Sequence, residues 1–91
     1  MRKFGICLFI GDNGFVYVGD VRLEDGYYII NNCANVRKAG TTRGFGQIAF
    51  EGPTSETILD PAPHTLFPAA RLCHLIVCDA VDKWSKVLGI K

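Results

Sequence analysis

The residues best suited to chemistry lie between Asn35 and Pro53, in N-V-R-K-A-G-T-T-R-G-F-G-Q-I-A-F-E-G-P. This stretch carries three of the ten basic residues and four of the ten glycines, and its first acidic residue is Glu51. A turn rich in glycine and threonine, with a guanidinium beside it and a short apolar helix after it, is suited to hold an anion. The candidate ligand-binding residues are Arg37, Lys38, Thr41, Thr42, Arg43, Gly44 and Gly46.

Each residue type in this stretch has a role that anion binding needs. The threonines offer hydroxyls, the glycines let the backbone approach a ligand closely, and Arg43 offers a planar fork for phosphate or carboxylate. Arg37 and Lys38 join the site if the chain doubles back. The alternative is structural: a glycine-rich turn enters a helix, and Arg43 is solvated or pairs with Glu51.

Catalytic signatures are absent from the sequence. It has no G-x-S-x-G, Walker, H-E-x-x-H or kinase motif. Gly44-Phe45-Gly46 lacks the third glycine and the βαβ unit of a dinucleotide site. We expect His64 to be solvated and His74 to be a hydrogen-bonded core or interface residue. The sequence favours a non-enzymatic role, and it assigns no catalytic residue, metal or cofactor.

The four cysteines also favour a structural interpretation. Cys7, Cys33, Cys73 and Cys78 form no C-x-x-C pair, and Cys73 and Cys78 would face opposite sides of one regular strand. We expect free thiols that serve as small core residues rather than a metal site. Reduced thiols are typical of a cytoplasmic protein.

Three strands joined by tight turns are predicted to precede the candidate site. Asp25-Gly26 is a strong hairpin signal. Asparagines 31, 32 and 35 predict a bulge or corner, followed by a short fourth strand through Val36. The first three strands are predicted at Phe4–Ile10, Phe15–Leu23 and Tyr27–Ile30.

Two helices are expected. Thr41 or Thr42 would cap a helix over 45–50 that buries Phe45, Ile48 and Ala49 and ends at Gly52. Asp79 would cap a final helix over 80–88 that ends at Gly89. The predicted apolar face of this final helix consists of Val81, Trp84, Val87 and Leu88.

Between the helices, residues 56–68 carry three prolines and predict an irregular crossing, followed by a last strand over 72–78. Together these elements predict a single domain over residues 1–91. Its class is α+β, mainly β: a small, bent antiparallel sheet or open barrel of five to six strands, with a short inserted helix and a C-terminal helix.

Composition limits the partners. The net charge is +1, which argues against general nucleic-acid binding and requires any anion recognition to be local. The apolar run near the start ends after seven residues, too short for a signal-peptide core or a membrane span. So short a chain buries a modest core, so we expect it to form a homo-oligomer. We also expect a cytoplasmic protein with no membrane partner.

The 35–52 segment resembles the middle of a family of small uncharacterised proteins from tailed phages and prophages. The pattern is N-x-R-x-x-x-x-x-(T/S)-x-x-x-Q-(L/I)-A-x-E-G, carried here by Arg37, Gln47, Ala49, Glu51 and Gly52, with Arg43 at the Thr/Ser position. A strand meander before it, and a strand ending in Cys78 with a helix after it, extend the likeness. The resemblance implies a viral accessory protein of the host cytoplasm that acts by stoichiometric binding.

Three functions are compatible with these observations. The first is a non-enzymatic homo-oligomer that sequesters a small anionic, nucleotide-like ligand. The second is a protein-interaction module that blocks a host protein or serves virion assembly. The third is a small hydrolase-like enzyme on a phosphorylated substrate, with Arg43 stabilising charge and His74 or Glu51 as base.

Overall fold

The computed structural model describes residues 1–90. Three long strands open the chain, a short helix interrupts it, and three short strands and a second helix complete the fold. The elements are β1 (Arg2–Gly11), β2 (Val16–Glu24), β3 (Tyr27–Lys38), α1 (Phe45–Glu51), β4 (Ile58–Pro61), β5 (Thr65–Pro68), a 3₁₀ turn (Ala69–Arg71), β6 (Leu72–Val77) and α2 (Val81–Leu88). The predicted class, α+β with mainly β structure, is confirmed.

Tight turns produce the antiparallel meander of β1, β2 and β3. Between β2 and β3, Asp25 has φ 52° and Gly26 has φ 81°, so both turn residues are left-handed. That is the requirement of a type I′ turn, whose twist matches that of the strands it joins. The Asp-Gly signal in the sequence therefore identified this hairpin correctly.

The sheet bends strongly because its two edges are joined by a very short connection. The strand order is β4-β3-β2-β1-β6, and β5 also pairs with β3. In a flat sheet, β5 and β6 would lie four spacings apart, or about 19 Å. The 3₁₀ turn of Ala69–Arg71 joins them, and at about 2 Å per residue it cannot span that distance. The sheet must curve so that its edges approach each other.

The third strand is longer than the sequence predicted. β3 runs from Tyr27 to Lys38 without a break, so the separate fourth strand ending near Val36 is wrong. The asparagines do mark a bulge. Val18 of β2 pairs with Ala34 of β3 and Asp20 pairs with Asn31, so two steps along β2 correspond to three steps along β3. The extra residue on β3 is accommodated beside Asn32, which has φ 50°.

The predicted irregular crossing over 56–68 is also wrong in part, because it contains β4 and β5. Both strands pair with the same edge of β3, β4 beside Ala34–Lys38 and β5 beside Tyr27–Ile30. Proline is tolerated at strand ends and sheet edges, where a missing N–H breaks no ladder hydrogen bond. Pro61 and Pro68 occupy such end positions.

Neither helix begins with the predicted side-chain cap. Gly44 occupies the N-cap of α1 and Ala80 that of α2, and neither helix has a side-chain cap hydrogen bond. The predicted caps at Thr41 or Thr42 and at Asp79 are therefore wrong. The predicted helix ends are confirmed, because Gly52 and Gly89 are the C-caps and both have positive φ.

Both faces of the sheet are buried over part of their area. One face packs against the helices, with Leu8, Val18, Ile48 and Trp84 at its centre. The other face curls over a second cluster, which contains Cys7, Phe9, Val21, Ile30 and Cys33.

Burial differs from expectation at four predicted core residues. Trp84 is fully buried, but Val81 and Val87 are about half exposed (48% and 52%), so the predicted apolar face of α2 is too wide. Cys7, Cys33 and Cys78 are buried as predicted, whereas Cys73 is exposed. His74 is also exposed, so it is not a core residue, and the alternative of an interface residue stays a prediction.

No helix within residues 1–90 combines the length and apolar character needed to cross a membrane.

Candidate functional site

Arg37 and Lys38 lie at the end of β3, and a carboxylate on β4 holds the arginine. Arg37 donates from Nε to Asp60 Oδ2 at 2.8 Å and from Nη2 to Asp60 Oδ1 at 2.9 Å. This two-point geometry is the strongest that a guanidinium forms with a carboxylate. The hydrogen bonds and charge of Asp60 raise the pKa of Arg37. Lys38 is exposed and lies opposite Ile58.

The segment that follows β3 is fixed by two threonines that the sequence analysis did not single out. Thr57 Oγ1 donates to the carbonyl of Ala39 at 2.7 Å, and Thr54 Oγ1 donates to the carbonyl of Gly40 at 2.8 Å. The backbone N–H of Thr54 donates to Thr57 Oγ1. These bonds fasten the start of the candidate loop to the turn that precedes β4.

Gly40 is required at this junction. Its φ is +67°, and a Cβ there would lie 2.3 Å from the carbonyl carbon of Glu56. The two segments therefore touch backbone to backbone. The G-P-T-S-E-T run that begins at Gly52 was the signal available in the sequence, since Ser and Thr hydroxyls commonly bond to backbone groups in turns.

Gln47 organises the turn that contains Thr41, Thr42 and Arg43. Its side-chain Oε1 accepts the backbone N–H of Thr42 at 3.3 Å and that of Arg43 at 3.1 Å. Gln47 therefore reaches back from the first turn of α1 to the residues before the helix, whereas the sequence analysis predicted a threonine that caps the helix itself. The hydroxyls of Thr41 and Thr42 make no hydrogen bond within residues 1–90 and are free to meet a ligand.

Two cations converge on Glu51. The Nη2 of Arg43 donates to Glu51 Oε2, and Lys83 Nζ donates to the backbone carbonyl of Glu51 at 3.1 Å. The Arg43 side chain is 68% exposed and that of Glu51 is 47% exposed, so the ion pair lies at the surface. Lys83, from α2, is the member of this group that the sequence did not reveal.

The backbone beside Arg43 is open. A Cβ placed on Gly44 or Gly46 would meet nothing within 4 Å, so a ligand can approach the main chain there. A shallow cavity of about 290 Å³ borders Lys83, and Asp79 and Asp82 also line it. An anion is therefore better placed on the Arg43 side of Lys83 than inside that cavity.

The predicted site residues separate into two groups. Arg43 lies with Thr41, Thr42, Gly44 and Gly46, and this group gains Lys83. Arg37 and Lys38 instead lie beside β4, where Arg37 pairs with Asp60, whereas Arg43 pairs with Glu51.

The candidate catalytic bases lie apart. Glu51 bonds to Arg43, and His64 Nδ1 donates to Asn31 Oδ1. His74 makes no side-chain hydrogen bond within residues 1–90, and this part of the chain contains no cluster of three or more His, Cys, Asp or Glu side chains able to hold a metal ion. Among residues 1–90, no such base is held beside both an orienting partner and a nucleophile.

A larger cavity, of about 360 Å³, lies between β3, β4 and the end of α2, and its lining is mostly apolar.

The buried thiols have raised pKa values. Burial is the main cause in each case; it raises the pKa of Cys7 to about 11 and that of Cys78 to about 12, and it also raises that of Cys33. These thiols stay protonated at neutral pH and are poor nucleophiles.

No protein-family model matches the chain. A comparison with curated proteins gives no significant match either.

Proposed function

We propose that this protein is a non-enzymatic viral accessory protein that binds and sequesters a small, nucleotide-like anion in the cytoplasm of its host. The observation that carries the proposal is the convergence of Arg43 and Lys83 on Glu51. The phage origin follows from the sequence resemblance alone. A stoichiometric binder needs an accessible recognition site but no catalytic apparatus.

The Arg43–Glu51 pair can exchange its carboxylate for a ligand. Exposed ion pairs contribute about 0.2–1 kcal/mol, so displacing the Glu51 side chain costs little. A phosphate that replaces it would accept hydrogen bonds from Arg43 and Lys83, while the hydroxyls of Thr41 and Thr42 lie beside it. Open backbone at Gly44 and Gly46 leaves room for the rest of the ligand.

The test is thermal stabilisation by a panel of nucleotides and cyclic nucleotides. A ligand present at one hundred times its Kd stabilises the protein by about 2.7 kcal/mol. We expect Arg43→Ala to lose this stabilisation and Glu51→Gln to increase it, because the Glu51 carboxylate competes with the ligand for Arg43. Recovery of intact ligand after overnight incubation distinguishes binding from hydrolysis.

Arg71→Ala is the matched control. Arg71 forms an ion pair with Asp12 at 2.8 Å and its side chain is 59% exposed, so like Arg43 it is an exposed arginine paired with a carboxylate. Binding lost in Arg43→Ala but kept in Arg71→Ala supports the proposal. A panel in which no nucleotide raises the melting temperature, or in which both variants bind like the wild type, refutes it.

The same proposal includes self-association through the outer edge of β6. The backbone N–H of Cys78 donates to the carbonyl of Ile6. Alternate residues of β6 therefore direct their backbone N–H and C=O groups toward β1, and the residues between them direct these backbone groups outward. Cys73, Leu75 and Val77 are the outward residues, and β6 carries no proline and no Asp, Glu, Lys or Arg. An uncharged open edge is suited to pair with a second copy of the strand.

The oligomeric state tests this part separately. Val77 is 58% exposed, so Val77→Lys is compatible with folding and places a charge on the open edge. We expect the wild type to have the mass of a dimer or larger in sedimentation equilibrium, and the variant that of a monomer. Val87→Lys, on the half-exposed face of α2, is the control. A monomeric wild type contradicts the self-association.

Protein recognition is the second candidate function, and exposed apolar residues on one sheet face favour it. Tyr27 is 47% exposed and Leu66 is 56% exposed, and the ladder places them on neighbouring positions of β3 and β5. Affinity capture from host lysate with a Leu66→Asp comparison separates this candidate from the first. A single stoichiometric partner lost in the variant would favour it.

A further inference from the structure

A small polar pocket lies on the sheet face that carries the helices, beyond the area they cover. Its volume is about 130 Å³, and its lining residues are Lys3, Asp20, Arg22 and Asn31. The strand registers explain the grouping: Lys3 is directly opposite Arg22, and Asp20 is directly opposite Asn31. Directly opposed residues project from the same face of a sheet. Three neighbouring strands therefore contribute to one depression.

Arg22 presents an unused donor. Its Nε is buried and has no hydrogen-bond partner within residues 1–90. Glu24 Oε2 forms an ion pair with this Nε at 3.5 Å but no hydrogen bond. A buried donor without an acceptor is costly and uncommon in native proteins. An acceptor supplied by a ligand would remove this cost.

Asn31 is oriented by a histidine from the β4–β5 connection. His64 Nδ1 donates to Asn31 Oδ1 at 2.5 Å, so the carbonyl side of this amide is occupied. The Nδ2 group, with its two hydrogens, remains available as a donor. The pocket then combines donors from Asn31, Arg22 and Lys3 with one acceptor, the Asp20 carboxylate.

The charges select the kind of ligand. Two cations and one carboxylate line the pocket, and the Glu24 carboxylate lies outside this lining, 3.5 Å from Arg22 Nε, so the site suits a ligand with no more than one net negative charge. A phosphate dianion would face Asp20 at close range, whereas a carboxylate with a neighbouring hydroxyl or amino group would donate to it. The volume equals that of about four water molecules at about 30 Å³ each, enough for such a head group and little more.

We propose that this pocket binds an α-hydroxy or α-amino carboxylate. The ligand carboxylate accepts hydrogen bonds from Arg22, Lys3 and Asn31, and the adjacent hydroxyl or ammonium group donates to Asp20. This site is separate from the Arg43 surface and does not depend on the function proposed above.

The experiment is an NMR titration of ¹⁵N-labelled protein with glycolate, glycine, acetate and inorganic phosphate in parallel. We expect saturable shifts around the pocket with glycolate or glycine in the millimolar range, and weaker binding of acetate and phosphate. Arg22→Gln should reduce glycolate affinity by tenfold or more. Asp20→Asn should bring glycolate affinity down to that of acetate.

Arg71→Gln, at an exposed arginine that belongs to neither proposed site, is the control, and it should titrate with glycolate like the wild type. Melting temperatures of all variants establish that they are folded. Lys3→Gln, at an exposed position, removes a second cation that would donate to the ligand carboxylate. Absence of saturable shifts in the wild type overturns the proposal, as does unchanged glycolate affinity in both Arg22→Gln and Lys3→Gln.

Discussion

The indole Nε1 of Trp84 donates a hydrogen bond of 2.9 Å to the backbone carbonyl of Ile48, and both side chains are fully buried. This bond joins α2 to α1 directly. The carbonyl of the next residue, Ala49, accepts the backbone N–H groups of Asp79 and Ala80. The end of α1 therefore holds the whole start of α2, and with it Lys83, in place beside Arg43.

Replacing Trp84 should destabilise the protein more than any other change on α2. Trp84→Phe removes the hydrogen bond and part of the packed volume, so we expect a loss of about 1–3 kcal/mol in the free energy of unfolding. Trp84→Ala should cost about 3–5 kcal/mol, which a domain of this size barely tolerates. Urea denaturation followed by circular dichroism measures both. Val87→Ala, on the exposed side of the same helix, should change stability by less than about 0.5 kcal/mol.

Two glycines with positive φ allow the cost of steric contact to be measured separately from the cost of backbone strain. Gly40 and Gly44 have φ of +67° and +84°, but only at Gly40 would a Cβ meet backbone, 2.3 Å from the Glu56 carbonyl carbon. Gly44→Ala should cost about 1–3 kcal/mol, because a φ of 84° with a ψ of -169° lies in a region that is essentially restricted to glycine. Gly40→Ala should cost about 1–3 kcal/mol more, because the Thr54–Thr57 turn must move. Equal unfolding free energies for the two variants would contradict the backbone contact.

The sequence predicted the elements whose signals are local. Asp25-Gly26 fixes its hairpin through its own backbone preferences, and Gly52 and Gly89 end their helices for the same reason. The position of Trp84 in α2 was enough to place it in the core. Strand lengths were less accurate, because a bulge at Asn32 continues β3 where asparagines suggested a break.

The elements that the sequence did not reveal depend on distant partners. β4 and β5 are strands because β3 offers them an unpaired edge, and nothing within residues 56–68 encodes that edge. Lys83 reaches the candidate site because Trp84 packs against α1 across 36 residues of chain. The pocket at Lys3 and Arg22 arises from strand register alone. Periodicity and turn residues cannot report such relationships.

The four thiols should differ sharply in reactivity. Cys73 is exposed, whereas Cys7, Cys33 and Cys78 are buried and have raised pKa values. Because the thiolate is the reactive form, a thiol reagent at pH 8 should modify one cysteine rapidly in the native protein and all four after denaturation. Cys73→Ser should abolish the rapid phase, while Cys33→Ser should leave it unchanged. Rapid modification of a second residue would show that a core thiol is accessible.

The buried thiols should also make stability fall at alkaline pH. Burial raises the pKa of Cys7 to about 11 and that of Cys78 to about 12 from an ordinary value of 9.0. Below about pH 9 the thiols are protonated in both the folded and the unfolded chain, so they add no pH dependence. Above it the unfolded chain releases protons that the folded protein retains, and the free energy of unfolding declines by up to about 1.4 kcal/mol per pH unit for each thiol. Urea denaturation between pH 8 and about pH 11 measures this slope, and Cys78→Ala should make it shallower. The wild type and the variant share the same lysines and tyrosines, so the difference between their slopes reports the Cys78 thiol. Parallel curves for the wild type and the variant would mean that the Cys78 thiol ionises as readily in the folded state as in the unfolded chain.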